Sequence, residues 1–146
     1  MLELAGRLRR GEEGQVLVLV AIMLVVLVGF TAMVVDWGRL HEERRFLQNA
    51  ADAAALAGAR ELPGPAGSPQ QAKARQLAEE YLLHNGIDPA NATISFSATF
   101  TNPANPGYDT IHVAISRDMD MTFTPVLGIE GSAVGAKADG IIGSIS

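Results

Sequence analysis

From residue 15 to residue 35 the chain carries no charged side chain. A helix of roughly 21 residues rising ~1.5 Å each is long enough to cross a ~30 Å hydrocarbon layer. The run exceeds the ~7–15 apolar residues of a secretory signal's core, and no small-x-small cleavage pattern follows it at once. The expectation is a retained membrane span near the N-terminus, with the rest of the 146-residue chain arranged around it. Domains begin at about 50 residues, so the segment after residue 35 has room for one modest core.

Charge and cysteine content narrow the function classes. A net charge of −5, with basic residues scattered beyond the N-terminal tail, supplies no cationic surface for nucleic acid. The absence of cysteine removes disulfides, thiolate metal sites and cysteine nucleophiles, so compartment must be read from topology. Arg7, Arg9 and Arg10 before the span are matched by Arg39, Arg44 and Arg45 after it, which leaves the positive-inside rule tied. The short tail and the Ser/Thr-rich, Pro/Gly-punctuated segment downstream favour a cytoplasmic N-terminus and an exported C-terminal domain.

Asp36-Trp37-Gly38-Arg39-Leu40 reads as the membrane exit, with an indole where amphipathic rings settle and charges beginning at once. No proline interrupts residues 40–62, where Ala, Leu, Arg, Glu and Gln dominate. A continuous rod over residues 16–60, about 65 Å long at ~1.5 Å per residue, is expected, with Gly29 and Gly38 as the points where it would bend. Leu19, Ile22, Val26 and Gly29 are the expected packing positions in its apolar half. In its second half Ala50, Ala54 and Gly58 fall on one line, with Ala51, Ala55 and Ala59 beside them. So smooth a face suits either the chain's own sheet or a seam with another subunit, and the pattern leaves both open.

Leu62-Pro63-Gly64-Pro65-Ala66-Gly67 ends the rod. Ser68 with Pro69 and Gln71 forms an N-terminal capping signal for a second helix, which Asn85-Gly86 stops; Leu77, Ala78, Tyr81 and Leu82 are its expected inner face. Strict alternation marks a strand through Ile94, Phe96, Ala98 and Phe100. The turn-rich Asn102-Pro103-Ala104-Asn105-Pro106-Gly107 leads to a second strand through Ile111, Val113 and Ile115, giving an antiparallel hairpin. Met119, Met121 and Phe123 continue the alternation toward Pro125. Thr124-Pro125-Val126-Leu127-Gly128 reads as a short helical turn or loop, and Val134, Ala136 and Ala138 line a last strand over residues 132–139. The fold class is α+β: a long transmembrane and stalk helix, then a small head with the second helix on a three- to four-stranded antiparallel sheet. The divisions are 1–14 as cytoplasmic tail or leader, 15–62 as helix and 63–146 as extracytoplasmic head.

The N-terminal half resembles the TadE/TadG-like proteins of tight-adherence (Flp-type) pilus assembly. The resemblance is carried by Arg10-Gly11-Glu12-Glu13-Gly14-Gln15, by Val35-Asp36-Trp37-Gly38-Arg39 and by Arg45-Phe46-Leu47-Gln48-Asn49-Ala50-Ala51-Asp52-Ala53-Ala54-Ala55-Leu56-Ala57-Gly58. It implies a pilin-like, pseudopilin or pilus-assembly component, anchored by its N-terminal helix with its head exported; the residues themselves suggest no cofactor and no enzymatic activity. Its implied partners are copies of itself or other pilin-like subunits, membrane lipid, a prepilin peptidase and the assembly platform. Gly14 and Gln15 flank the processing point this would use. Such peptidase substrates usually carry glutamate five residues beyond the cut; here Leu19 holds that place for a cut after Gly14, and Val16 for a cut after Gly11. The alternative is a membrane-anchored binding or accessory module of the envelope that does not polymerise.

Little in the sequence suggests catalysis. His41, His84 and His112 lack ligand spacing to any acid and read as surface residues, and no nucleophile–base–acid set is apparent. Asp118 and Asp120 share one side of a strand edge without the ~6–8 oxygens calcium takes. Asn91-Ala92-Thr93 fits a glycosylation acceptor. Asp36 and Asp52, acids in apolar or alanine-rich surroundings, are singled out with Arg39 and Arg45 as partners for salt bridges within or between subunits.

Overall fold

The computed structural model describes residues 2–99, 107–123, 125, 128 and 131–142, with side chains from residue 14 onward. In order come α1 (Leu2–Ala59), α2 (Pro69–His84), a 3-10 turn (Pro89–Asn91), β1 (Ala92–Ser97), β2 (Thr110–Met119) and β3 (Ser132–Ile141). The chain divides into two compact units. One is Met1–Arg39 with Met121–Glu130; the other is Leu40–Asp120 with Gly131–Ser146.

α1 is a single helix of 58 residues. It is already helical in the segment expected as tail or leader, and Gly29 and Gly38 do not break it. Glycine in a helix interior costs only about 1 kcal/mol relative to alanine, too little to open the i→i−4 ladder of so long a helix. Thr31 adds to the same ladder, its hydroxyl donating to the Leu27 carbonyl at 2.9 Å.

The second unit holds the core. The strands lie in the order β1-β2-β3, all antiparallel. Ile94 from β1, Ile111, Val113 and Ile115 from β2, and Val134, Ala136 and Ala138 from β3 are buried with Leu47 and the alanines of α1 and with Ala74, Ala78 and Leu82 of α2. The period-two alternation of the strands thus gives one face to the helices and the other to solvent. Small residues set the spacing. A Cβ on Gly58 would lie 2.5 Å from Ile111 Cδ1 and 2.9 Å from the Ala74 carbonyl oxygen, and one on Gly140 would collide with the Ala55 carbonyl.

That close approach explains where α2 departs from its expected face. Its buried line is Ala74, Ala78 and Leu82, while Tyr81 is exposed; a helix seated against glycine and alanine buries a narrow stripe and leaves its large flanking side chains outside. Its ends follow the sequence. Ser68 Oγ accepts from Gln71 N at 3.2 Å, and Gln71 Oε1 accepts from Gly67 N. At the other end Gly86 is left-handed, with φ of 73°. Gly86 N donates to Leu83 O and Ile87 N to Leu82 O, and the buried Ile87 and Leu82 form the apolar contact that accompanies this kind of stop.

The sheet has three strands among the described residues. β1 ends at Ser97 rather than running on through Ala98, because Asp109 N donates to the Ser97 carbonyl and the Asp109 carboxylate accepts from Thr99 N at 2.6 Å. The alternation after Arg117 belongs to β2 as far as Met119; Met121 and Phe123 lie beyond it. Phe100, the turn over residues 101–106 and Thr124, Val126 and Leu127 fall outside the described residues.

Candidate functional site

In the first unit the apolar run is uncovered. Its large side chains between Val16 and Val35 are 45–72% exposed, Leu19, Ile22 and Val26 among them, while Gly29 is half-buried. Each aliphatic side chain left in water would forgo about 1.5–3 kcal/mol of burial. A helix apolar on every face belongs in lipid or among other helices, and this one is long and apolar enough to cross a membrane.

At the end of the run Asp36 is only 2% exposed. Its two carboxylate oxygens accept from successive backbone amides of one loop, Thr122 N at 3.1 Å and Phe123 N at 2.9 Å. Arg39, one turn further along α1, donates to the Thr122 hydroxyl. Both residues therefore serve a loop that lies 86 or 87 positions away from Asp36 in sequence. Of the other charged pair, Arg45 is exposed, and Asp52 accepts from Gln48 Nε2 at 2.9 Å. Gln48 donates as well to the Lys137 carbonyl, linking α1 to β3.

Ala50, Ala54 and Gly58 are buried inside the head unit, against α2 and the sheet. Of the two uses the sequence left open for this line, the structure shows the intramolecular one. Two further ties escaped the sequence reading. Arg117 on β2 donates to Glu43 Oε1 at 2.7 Å and lies over the Phe46 ring at 5.8 Å. Asp109, 6% exposed, accepts from Thr99 N and from the Thr110 hydroxyl while its carbonyl accepts from Ile142 N, so it fastens the start of β2 to the residues that follow β1 and β3. An acid ahead of a strand is the only sequence signal for it.

The histidines require a correction. His41 and His84 are exposed, His84 with Glu80 Oε1 3.7 Å from its Nε2, and His112 has an acid at hydrogen-bond distance. Ser97, His112 and Asp139, one on each strand, lie in a row on the outer face of the sheet. Nε2 of the ring is 2.7 Å from Ser97 Oγ, and Nδ1 is 2.7 Å from Asp139 Oδ1. With Nδ1 protonated the ring donates to Asp139 and accepts from Ser97, so a nucleophile–base–acid set does exist as geometry. Antiparallel register makes it: His112 pairs with Asp139, and Ser97 sits diagonally across. The Asp139 side chain is 60% exposed. In that wet setting the hydrogen bonds lack the desolvated, preorganised surroundings on which nucleophilic catalysis depends. The two hydrogen bonds join side chains of all three strands on that face.

No group of three or more metal-ligating side chains occurs among the described residues. Asn91 is exposed at the end of the 3-10 turn that Asp88 caps.

Taken together, these features define a protein class: an N-terminal helix built for lipid or helix partners, continuous with a small α+β head whose core is its own. Residues 14–61 match the family described as putative Flp pilus-assembly TadE/G-like. The match covers the apolar run and the alanine-rich half of α1, and the sheet lies outside it. No curated protein and no solved structure matches the chain.

Proposed function

We propose that the chain is a non-enzymatic, pilin-like structural component of Flp pilus assembly. It is held by its N-terminal helix and packs through that helix with copies of itself or other pilin-like subunits, in the filament or its assembly platform. The family match over residues 14–61 supports the role in pilus assembly. The observation that carries the packing is the contrast between an apolar helix with no cover inside the chain and a head whose alanine face is already occupied. Leu19, Ile22, Val26 and Gly29 then become the contact residues, while Ala50, Ala54 and Gly58 hold the head together. Arg39, Arg45 and Asp52 are exposed and can also meet a neighbouring subunit, whereas Asp36 is buried in its own unit. The N-terminus faces the cytoplasm and the head lies outside.

A second reading, a membrane-anchored accessory that does not polymerise, is favoured by Leu19 standing where a processed pilin would carry glutamate after a cut at Gly14. Shearing surface appendages from the native cells and measuring intact mass and N-terminus in the sheared and membrane fractions decides between them. Filament protein, beginning at Gln15 or at Met1, is the expected result; full-length protein confined to the membrane would sink the polymer reading.

A further inference from the structure

We propose that the helices close the sheet at both of its edges, Arg75 of α2 at β1 and Gln48 of α1 at β3, so that the heads of neighbouring copies cannot join by strand pairing. The device lies wholly within the head unit and stands whether or not the chain polymerises. β2 is the central strand, so β1 and β3 each have one side without a strand neighbour among the described residues. Such a side carries a row of backbone donors and acceptors that templates pairing with another chain.

Register shows which backbone groups face outward. In an antiparallel ladder, successive residues turn their N–H and C=O groups alternately toward one neighbour and toward the other. Val113 stands opposite Ile94 of β1 and Ala138 of β3, and Ala114 opposite Thr93 and Lys137. Asp109, an even step before Val113, gives its carbonyl to Ile142 N just past β3, which fixes the sense of the alternation. Val113 is therefore turned to β3 and Ala114 to β1, and Ile94 and Lys137 are both left facing out. Those are the two carbonyls that the helices take. Arg75 Nη2 donates to Ile94 O at 2.8 Å, and Gln48 Nε2 donates to Lys137 O at 2.9 Å. Each donor is held from a second side: the guanidinium carbon of Arg75 lies 5.6 Å from the centre of the Phe96 ring, and Gln48 Nε2 also reaches Asp52 Oδ1 at 2.9 Å. An incoming strand would have to displace them.

The two edges differ in what they carry themselves. β1 reads Ala-Thr-Ile-Ser-Phe-Ser, with strand formers and neither a charge nor a proline, so it lacks the usual protection of an edge. Arg75 brings the missing charge from α2. β3 already holds Lys137 and Asp139, both exposed, and Gln48 adds to them. β1 is thus the edge where loss of the guard should matter more.

Arg75→Met and Gln48→Met keep most of the side chain's length and remove the donors. The full chain in detergent micelles is compared at low and high protein concentration by sedimentation and by amide hydrogen exchange. The alternation makes exchange diagnostic, because strand addition protects the outward amides of Ala92, Ile94 and Phe96, whereas Thr93 and Ser95 already face β2. Association through the apolar half of α1 leaves all of these amides untouched. In the wild type their exchange should not depend on concentration. Arg75→Met should associate as concentration rises, with its outward amides slowing by about tenfold. Gln48→Met should show a smaller slowing at Lys137 and Asp139, and Arg75→Lys, which restores a cationic donor, should behave as the wild type does. Outward amides of Arg75→Met that ignore concentration would overturn the proposal, as would concentration-dependent slowing in the wild type, where the edge would then be open already. Faster exchange at Thr93 and Ser95 along with the rest of β1 would mean that Arg75 holds the fold rather than the edge, and would overturn it too.

Discussion

The two halves of α1 are both apolar, and the chain treats them in opposite ways. Between residues 16 and 35 the side chains are large, branched and uncovered; between residues 50 and 59 they are small and mostly buried. Large side chains gain from transfer out of water whatever surrounds them, so they suit a disordered solvent such as lipid. Small ones contribute little burial each but let backbones touch, and that requires a fixed partner of matching shape. The comparison teaches that apolarity alone does not locate an assembly surface. Side-chain size and cover within the chain do.

The sharpest way to break this contrast is to enlarge a small residue in the covered half and shrink a large one in the uncovered half. Gly140→Val would drive a side chain into the Ala55 carbonyl, and Gly58→Val into Ile111 and the Ala74 carbonyl. Backbone cannot yield as a flexible side chain can, so each should cost about 3 kcal/mol, a large share of the ~5–15 kcal/mol that holds a domain. Val26→Ala should leave the head's denaturant midpoint unchanged, since Val26 is exposed and belongs to the other unit. Urea unfolding of the detergent-solubilised chain reads all three. Equal effects from Val26→Ala and Gly58→Val would erase the distinction between the halves. An assembly defect from Ala54→Leu is for the same reason no proof of a subunit seam, because overpacking the head would produce it.

A smaller effect is expected from Asp109, which sharpens the comparison at the level of single polar groups. It is a buried acid in the head, as Asp36 is in the other unit, and both act by accepting from backbone amides. Asp109→Ala removes the acceptor of the Thr99 amide and one of the two partners of the Thr110 hydroxyl, which keeps Thr99 Oγ1 at 2.6 Å, costing about 1–3 kcal/mol. Asp109→Asn, which keeps an acceptor oxygen, should recover much of that, and hydrogen exchange at Thr99 and Thr110 should accelerate only in the alanine variant. Equal exchange in both variants would mean that the carboxylate's charge, rather than its acceptor geometry, holds the end of the head.

Elements were legible in the sequence wherever local chemistry dictates them. The Ser68 cap, the Asn85-Gly86 stop, the alternation of Ile111, Val113 and Ile115, and the unbroken helix across residues 16–59 all follow from patterns a few residues long. Partnerships across the fold were not legible. Helix spacing leads one to expect Asp36 to pair with Arg39, three positions on, or with a basic residue of a neighbouring subunit; its carboxylate oxygens accept from residues 86 and 87 positions distant. Glu43 and Arg117 are 74 apart, and Ser97, His112 and Asp139 meet only because two strand registers put them side by side. Register is fixed by the whole sheet, and no short motif announces it.

His112 carries the smallest expected effect and the clearest test of what that register makes. On the covered face of the sheet a truncation leaves a cavity; on the outer face it removes two hydrogen bonds already competing with water. His112→Ala should therefore lower stability by about 0.2–1 kcal/mol, in the range of an exposed cross-strand pair. Ser97→Ala should do about half as much, and the double variant should match His112→Ala, because the serine's contribution passes through the ring. Catalysis predicts a different pattern. An organophosphorus probe that reacts with activated serines would label Ser97 stoichiometrically, and His112→Ala would abolish that labelling while barely moving the unfolding midpoint. Unlabelled protein with non-additive stability losses is the outcome expected of a tie, since a serine whose proton acceptor is partly solvated and backed by an exposed acid gains orientation from the ring but little nucleophilicity.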